Sequence, residues 1–205
     1  MLQAKKFEFP LTGEKRMGGL AYNKKRKEAL RGKNILNMKP IVSIIMGSTS
    51  DLPVMEKACQ FFEEMEIPFE VNALSAHRTP QEVSDFARGA QGRGIKVIIA
   101  GAGMAAALPG VIAAETTLPV IGVPIKGSVL EGMDATLAIL QMPPGIPVAT
   151  VAINGAQNAA ILAMQMLALG DEALMQKLAA YKSSLKKKIV KANEELAQLQ
   201  YKFKC

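Results

Sequence analysis

Short, almost continuously apolar runs alternate with amphipathic stretches from residue 41 to the C-terminus. This alternation constrains the fold more than any other feature of the chain. Runs such as 41–46 (IVSIIM) and 119–123 (PVIGV) have the character of strands that are buried on both faces. The stretches between such runs carry apolar residues at helical spacing, for example Val54, Met55 and Ala58. Strands that alternate with helices predict a parallel sheet covered on both faces.

The pattern predicts five strands, each followed by a helix, and a long helix at the C-terminus. We expect strands at 41–46, 69–74, 96–100, 119–123 and 147–153, and helices at 53–66, 80–93, 134–141, 158–169 and 171–204. A further small-residue helix is expected to open from the segment 101–107 and to end at about residue 115. The predicted fold class is therefore α/β. We expect a three-layer αβα sandwich with a central parallel sheet, either flavodoxin-like or Rossmann-like, and a long C-terminal helix.

Charge divides the chain into a basic leader and a nearly neutral remainder. Residues 1–40 carry eleven Lys and Arg against three Glu, whereas the remaining residues carry fourteen against fifteen, so the net charge of +7 belongs to the leader. The leader has no apolar segment of the secretory type. We favour a solvated, poorly ordered extension over residues 1–38, rather than a nucleic-acid-binding or organelle-targeting segment. Translation could also start at Met38, immediately before the first strand.

The remaining chain is expected to divide into a catalytic α/β domain, residues 39–170, and an amphipathic C-terminal helix, residues 171–205. We expect this helix to pack on the domain or on a neighbouring subunit. No apolar run approaches the ~18–20 residues that span a bilayer. Two cysteines are too few for a disulfide framework, and they suit a reducing cytoplasm. One His and two distant Cys do not make a typical zinc site, and a Walker-type phosphate loop is absent.

The single histidine, His77, is the strongest candidate for chemistry. Its imidazole is the side chain whose ordinary pKa lies closest to neutrality. It lies between Ser75 and Pro80 in the segment SAHRTP, directly after a predicted strand and before a predicted helix. Ligands of doubly wound sheets bind beyond the carboxyl ends of the strands, so this position favours a functional role over that of an ordinary surface histidine.

Two further loops are predicted to lie at the same edge of the sheet. The segment 47–51 (GSTSD) offers hydroxyls and backbone N–H groups that suit a phosphate or a ribose, although Ser and Asp also cap helices routinely. Arg78 could bind a phosphate or form a structural ion pair. The segment 101–106 (GAGMAA) fits a loose dinucleotide-binding pattern, but the next strand ends at Lys126 without a carboxylate. We therefore interpret its glycines as allowing close approach of a smaller ligand, with packing as the alternative.

At these residues the chain resembles the class I N5-carboxyaminoimidazole ribonucleotide mutases, also called the phosphoribosylaminoimidazole carboxylase catalytic subunit family. The resemblance extends from about residue 41 to residue 169, with the motifs in family order. The matching segments are MGSTSD at 46–51, SAHRTP at 75–80, IIAGAG at 98–103, LPG at 108–110, PVIGVP at 119–124 and QMPPGIPV at 141–148. Together these motifs are highly specific.

The resemblance implies an isomerase of purine (IMP) biosynthesis that moves a carboxylate from the exocyclic carbamate nitrogen of its ribonucleotide substrate to C4 of the same imidazole. It implies no metal, ATP or organic cofactor, a homo-octamer with active sites near subunit contacts, and receipt of the substrate from an ATP-dependent, carbamate-forming synthetase. It further implies a cytoplasmic enzyme without membrane or nucleic-acid partners. His77 matches the catalytic histidine. The matching substrate-binding residues are Ser48, Ser50, Asp51, Ser75, Ala76, Arg78, Gly101, Ala102 and Gly103.

Two residues depart from the family pattern, and two other functions remain open. Many family members have Gly and His at the positions of Met104 and Ala107, so Met104 adds bulk at the site and a second histidine is missing. One alternative is a carboxylase that uses CO2 and aminoimidazole ribonucleotide directly, as in the other class of the family. A more distant alternative is a flavodoxin-like FMN-binding module, which the absence of Trp and the placement of the three Tyr outside the strands disfavour.

Overall fold

The computed structural model describes residues 38–203, for Lys188 the backbone only. The described residues from Lys39 onward belong to one compact unit. Its centre is one sheet of five parallel strands in the order β2-β1-β3-β4-β5. The strands are β1 Val42–Met46, β2 Phe69–Ala73, β3 Val97–Gly103, β4 Val120–Ile125 and β5 Ala149–Thr150. This strand order is the flavodoxin-like one, so the predicted fold class is confirmed and the Rossmann-like order is not observed.

Helices cover both faces of the sheet. They are α1 Leu52–Met65, α2 Pro80–Arg93, α3 Ala107–Glu115, α4 Met133–Leu140, α5 Ala156–Ala168 and α6 Glu172–Ala197. Helices α1 and α5 pack on one face, and α2, α3 and α4 pack on the other. Two apolar cores result, and the central strands contribute alternate residues to each, for example Ile44 to one and Ile45 to the other. Both side chains are fully buried, and each such burial contributes about 1.5–3 kcal/mol.

Strands β3 and β5 differ most from their predicted bounds, and both differences concern the ligand edge. Strand β3 continues through Gly103, because its last residues pair with β4 as far as Ile125. Strand β5 is only two residues long, because the chain turns away after Thr150. The turn includes Asn154, whose φ of 57° lies in the left-handed region that Asn tolerates better than most residues.

The first half of α6 lies on the domain. Tyr181 makes an edge-to-face contact with Phe61 of α1 at 5.2 Å between ring centroids, and its hydroxyl lies 3.3 Å from the Gln157 amide nitrogen of α5. Lys177 donates a hydrogen bond to the last-turn carbonyl of Met65. The division into residues 39–170 and 171–205 stays a prediction, and the predicted extension 1–38 lies outside the described residues apart from Met38. Among residues 38–203, no helix has both the length and the apolar character needed to span a membrane.

Candidate active site

The candidate site lies at the carboxyl edge of the sheet, around the junction of β1 and β3. The chain leaves β1 towards β2 on one side and leaves β3 towards β4 on the other, so the strand order reverses between β1 and β3. Doubly wound sheets bind ligands in the crevice formed at such a point. The segments that follow β1, β2 and β3 all begin at this edge. These segments, together with the last three residues of β3, contain all ten site residues expected from the sequence.

His77 occupies the tip of a tight turn that follows β2. The Ser75 carbonyl accepts hydrogen bonds from the N–H groups of Arg78 and Thr79, at 3.2 and 2.8 Å. The Thr79 hydroxyl closes the turn from the other side, since it accepts from the Ser75 N–H at 2.9 Å and donates to the Ser75 carbonyl at 3.1 Å. The imidazole is exposed, and no hydrogen bond joins it to another described residue. The turn therefore fixes the backbone of His77 and leaves its side chain available to a ligand.

A side-chain hydrogen bond joins the histidine turn to the loop after β1. The Arg78 guanidinium donates through Nη2 to the Gly47 carbonyl at 3.1 Å, and a backbone bond of 3.0 Å from Leu74 to Met46 precedes it. No carboxylate among the described residues forms a salt bridge with Arg78, so the structural ion pair considered from the sequence is not observed there. Arg78 is exposed, and its remaining donors can serve an anionic ligand.

The loop after β1 forms one turn of 3-10 helix, Thr49–Asp51. Ser48 caps this turn, because its hydroxyl accepts from the Ser50 N–H at 3.3 Å. The capping role considered from the sequence is therefore present, and the loop still carries exposed hydroxyls beside the Arg78 contact. A Cβ at Gly47 would lie 4.0 Å from Asp51 Oδ2, an ordinary contact distance, so packing within the described residues does not require a glycine here.

Asp51 combines partial burial with hydrogen bonds from its own loop. Burial raises the pKa of its carboxyl above the ordinary value, and this effect is larger than the opposing effect of hydrogen bonds from the Ser48 backbone and the Ser50 hydroxyl. Asp51 precedes α1, but its side chain makes no capping hydrogen bond to that helix. Its oxygens can therefore accept further hydrogen bonds, as sugar hydroxyls would provide.

The three small residues at 101–103 form the end of β3, where a loop was predicted. Gly101 and Ala102 are buried, and Gly103 is partly exposed. A Cβ at Gly101 would lie only 2.5 Å from the Met55 sulfur and 3.0 Å from Ile125 Cδ1, so an added methyl would force these two buried side chains to shift. The close approach inferred from the sequence thus concerns protein atoms at Gly101, and the ligand edge begins at Gly103.

Met104 follows in an unusual backbone conformation. Its φ is +54°, and Ala106 two residues later has φ +42°, although neither is a glycine. Left-handed residues of this kind are costly and cluster at functional sites. The Met104 side chain is 61% exposed, and its Cγ lies 3.6 Å from the position of a Cβ at Gly127, in the loop after β4. Met104 therefore forms part of the surface between the β3 and β4 loops.

Sequence reasoning missed the closing role of Thr79 and the contribution of the β4 loop. Thr79 precedes a helix-starting proline and has the pattern of an N-cap, but its hydroxyl is used within the turn and caps nothing. The sequence feature that could have indicated the β4 loop is Lys126, because it is a cation at the carboxyl end of a strand and therefore lies at the ligand edge. Within residues 38–203, no three His, Cys, Asp or Glu side chains come close enough together to hold a metal ion.

Comparison with known proteins assigns the chain to a family. The AIR carboxylase family matches residues 41–188, which include every residue of the candidate site. This chain belongs to the AIR carboxylase family. The resemblance identified from the motifs is thereby confirmed.

Similar proteins carry two names. The N5-carboxyaminoimidazole ribonucleotide mutase of Pyrococcus horikoshii is 52% identical over 161 residues, which is 78% of this chain and 91% of that protein. The mutase of Thermotoga maritima is 51% identical over 163 residues, 80% of this chain and 95% of its own length. The phosphoribosylaminoimidazole carboxylase of Saccharomyces cerevisiae is 53% identical over 159 residues, 78% of this chain but only 27% of the yeast protein.

Solved structures agree with this assignment. A crystal structure of Treponema denticola PurE superposes with a TM-score of 0.69 at 29% identity, and covers 77% of this chain and 98% of its own. A variant of PurE2 from the same organism superposes with a TM-score of 0.71, also at 29% identity, and covers 78% of this chain and 99% of its own. Both solved structures, which match over nearly their whole length, thus share the fold of this chain at 29% identity.

Proposed function

We propose that this chain is an N5-carboxyaminoimidazole ribonucleotide mutase of purine biosynthesis. The observation that carries the proposal is the hydrogen bond from Arg78 to the Gly47 carbonyl. It holds the turn of the single histidine against a hydroxyl-rich loop at the point where doubly wound sheets bind ligands. A phosphorylated substrate that needs one proton carrier fits this arrangement. The mutases of Pyrococcus and Thermotoga, about half identical over nearly their whole length, support the same activity.

The proposed chemistry needs one acid/base group and a confined space. The bond between the carbamate carbon and the exocyclic nitrogen breaks, CO2 is released, and the nitrogen takes a proton from protonated His77. C4 of the imidazole then forms a bond to the same CO2 and loses its proton to the neutral His77. The histidine is thereby returned to its starting state, as general acid–base catalysis requires. Retention of CO2 next to C4 makes the second step effectively intramolecular.

The remaining site residues are proposed to bind the nucleotide. Arg78 and the hydroxyls of Ser48 and Ser50 would bind the phosphate through charge-assisted and neutral hydrogen bonds. Asp51 would accept from the ribose hydroxyls. The other residues would line the site through backbone groups or small side chains: Ser75, Ala76, Gly101, Ala102 and Gly103. Gly101 and Ala102 are buried. We therefore propose that they form the wall behind the imidazole ring of the substrate and make no direct hydrogen bonds to it.

The alternatives are less well supported. The carboxylase name belongs to relatives such as the Saccharomyces protein, of which the matched region is only 27%, whereas the mutases match over nearly their whole length. An FMN-binding module would use aromatic side chains beside the flavin ring. In the described part of the chain no aromatic residue lies in the segments that follow β1, β2, β3 and β4 at the ligand edge.

We further propose that the chain forms a homo-oligomer, an octamer as the family resemblance implies. One face of α4 and its preceding turn supports this. Leu130, Met133, Leu137 and Leu140 recur at helical spacing and are 57%, 54%, 47% and 58% exposed. The opposite face of α4 packs on the core through Ala135 and Ile139. A helix with apolar side chains on two opposite faces is typical of one covered on both sides, here by another subunit.

The proposal also includes the expected surroundings of the enzyme. Its substrate is a carbamate, so an ATP-dependent, carbamate-forming synthetase would supply it. We propose a cytoplasmic location, which the small number of cysteines supports, because two are too few for a disulfide framework.

Replacement of His77 by Asn tests the catalytic role. Because the imidazole is exposed and makes no hydrogen bond within the described residues, we expect the variant to fold and to bind 4-carboxyaminoimidazole ribonucleotide as the wild type does. Turnover should fall by far more than tenfold, since no other histidine exists to carry the proton. Calorimetry and a steady-state assay measure the two quantities. A kcat above about a tenth of wild type, a loss of roughly 1.4 kcal/mol or less, would refute the assignment.

A further inference from the structure

Lys126 lies at the ligand edge and takes no part in the proposed acid–base chemistry or phosphate binding. It directly follows β4, whose last residue, Ile125, pairs with Gly103 at the end of β3. The next residue, Gly127, faces the Met104 side chain. Lys126 is therefore next to the β3 end of the candidate site, on the side away from the Arg78 turn.

Asn154 holds the backbone at the end of β4 through two hydrogen bonds, one to Lys126 and one to Pro124. The Lys126 N–H donates to Asn154 Oδ1 at 3.0 Å, while the Asn154 N–H donates to the Pro124 carbonyl at 2.8 Å. Asn154 adopts the left-handed conformation that allows both bonds. A single side chain thus ties the end of β4 to the turn after β5. The lysine side chain starts from a defined point at the edge of the site.

The ammonium group is held by a partner that a ligand can replace. Lys126 Nζ forms an ion pair with Glu131, five residues further along the same loop, and the two side chains are 53% and 67% exposed. Exposed ion pairs between long side chains are weak. A carboxylate brought by a ligand offers the ammonium the same bond. Glu131 has φ +55°, so the segment that presents it is itself strained.

A substrate with a phosphate at one end and a carboxylate at the other needs cations at two places. Arg78 lies beside the loop after β1, and Lys126 follows β4, two strands away. Adjacent strands lie about 4.8 Å apart, so the two positions are separated by about 10 Å along the sheet edge. A mononucleotide can span such a distance. Dinucleotide-binding sheets carry an acidic residue at the end of the strand that follows the glycine motif, where it binds ribose hydroxyls. A lysine there suits a carboxylate.

We propose that Lys126 binds the migrating carboxylate of the substrate, which displaces Glu131 from the ammonium, and that Asn154 is the positioning residue for Lys126. This inference rests on the proposed mutase function. Lys126 would bind both carboxylated nucleotides, the substrate carbamate and the C4-carboxylated product. It would contribute little to binding of aminoimidazole ribonucleotide, which has the phosphate but no carboxylate. Lys126 therefore determines specificity for the carboxylated nucleotides.

Binding of two stable nucleotides to matched variants tests the proposal. Isothermal calorimetry would compare 4-carboxyaminoimidazole ribonucleotide with aminoimidazole ribonucleotide for wild type, Lys126→Met and Glu131→Gln. Lys96→Met is the control, because Lys96 is an exposed lysine just before β3, at the opposite edge of the sheet. Lys126→Met should weaken binding of the carboxylated nucleotide about tenfold, or about 1.4 kcal/mol. Binding of the uncarboxylated nucleotide should change less than twofold. Glu131→Gln should strengthen binding of the carboxylated nucleotide, and Lys96→Met should change neither.

The outcomes separate the two proposals. If wild type binds both nucleotides and converts the carbamate substrate, but Lys126→Met binds both nucleotides as wild type does, the role of Lys126 is refuted and the mutase proposal stands. An equal loss for both nucleotides also refutes it, because Lys126 would then act on the phosphate or on the fold. If wild type neither binds nor converts them, the mutase function fails and the inference with it. Lys126→Arg should retain most of the affinity for the carboxylated nucleotide, and a full loss would contradict a charge-based role.

Discussion

The partly buried position of the Asp51 carboxyl lowers the stability of the folded protein when the carboxyl is ionised. Burial raises its pKa above the value of 3.8 that the unfolded chain has. The folded state therefore binds the proton more tightly than the unfolded state. As the pH rises from below 3.8 through the raised folded pKa, the charge disfavours folding and the wild type loses stability. A residue that lowers stability in this way is retained for another reason, here the proposed contact with the ribose.

We predict that Asp51→Asn stabilises the protein near neutrality and weakens substrate binding. The difference in melting temperature between variant and wild type should grow from about pH 3 towards pH 7, because only the wild type carries the buried charge at the higher pH. Thermal unfolding across this range and calorimetry at pH 7 measure both effects. Asp85→Asn, on the exposed side of α2, is the control and should leave nucleotide affinity unchanged. A variant that is less stable than wild type at pH 7 would contradict this account.

At the scale of elements, two glycines, one in β3 and one in α2, have different effects on stability. Gly101 allows the Met55 sulfur and Ile125 to close over the end of β3, whereas Gly92 on the exposed surface of α2 has nothing within 4 Å of its missing Cβ. A methyl group at Gly101 would therefore displace buried side chains. Gly92 has no such neighbours, and its main effect is to lower the helix propensity of α2.

We predict opposite effects of alanine at these two glycines. Gly101→Ala should lower the free energy of unfolding by about 1–3 kcal/mol, because an extra methyl overpacks a buried site. Gly92→Ala should raise the free energy of unfolding by about 0.5–1 kcal/mol, as expected for an exposed helix position. Urea titration measures both, and each variant serves as the other's control. An unchanged stability for Gly101→Ala would show that Met55 moves aside freely and that the glycine serves only the ligand.

The elements also show what the sequence could predict and where it failed. Continuous apolar runs predicted β1, β3 and β4, because burial on both faces requires them. The bounds of α2 were predicted to the residue, since Pro80 and Gly94 mark its two ends. The end of β3 was misjudged, because a run of glycine and alanine has no strand signal of its own and is ordered by pairing with both neighbours. The fifth strand was predicted but made too long, because its apolar run continues beyond its pairing with β4.

The candidate site was predictable in part. The loops were placed at one edge by the rule for parallel sheets, and His77 stood out because it is the single histidine. The hydrogen bond between Arg78 and Gly47 could not be predicted from the sequence, because it joins residues 31 positions apart through a backbone carbonyl. The same holds for Lys126 and Asn154, which are 28 positions apart.

At the scale of the whole molecule, we propose that the exposed apolar face of α4, and not the leader, forms the subunit contacts. A shortened chain that starts at Met38 should fold, assemble and turn over as the full chain does, since every site residue lies beyond it. Leu137→Gln combined with Leu140→Gln should give smaller species, because the exposed apolar face of α4 is disrupted. Leu169→Gln, an exposed apolar change outside α4, is the control. Size-exclusion chromatography with light scattering measures all three. A shortened chain that dissociates would place the leader in the assembly.

The origin of the transferred carbon tests the mutase activity most directly. Purified enzyme would be given N5-carboxyaminoimidazole ribonucleotide in buffer that contains isotopically labelled bicarbonate, and the product would be analysed by mass spectrometry. A mutase that retains CO2 beside C4 yields an unlabelled carboxylate at early times and does not require bicarbonate. A product that carries the label from the first turnovers, or an enzyme that converts aminoimidazole ribonucleotide with bicarbonate faster than it converts the carbamate, would contradict the proposed function.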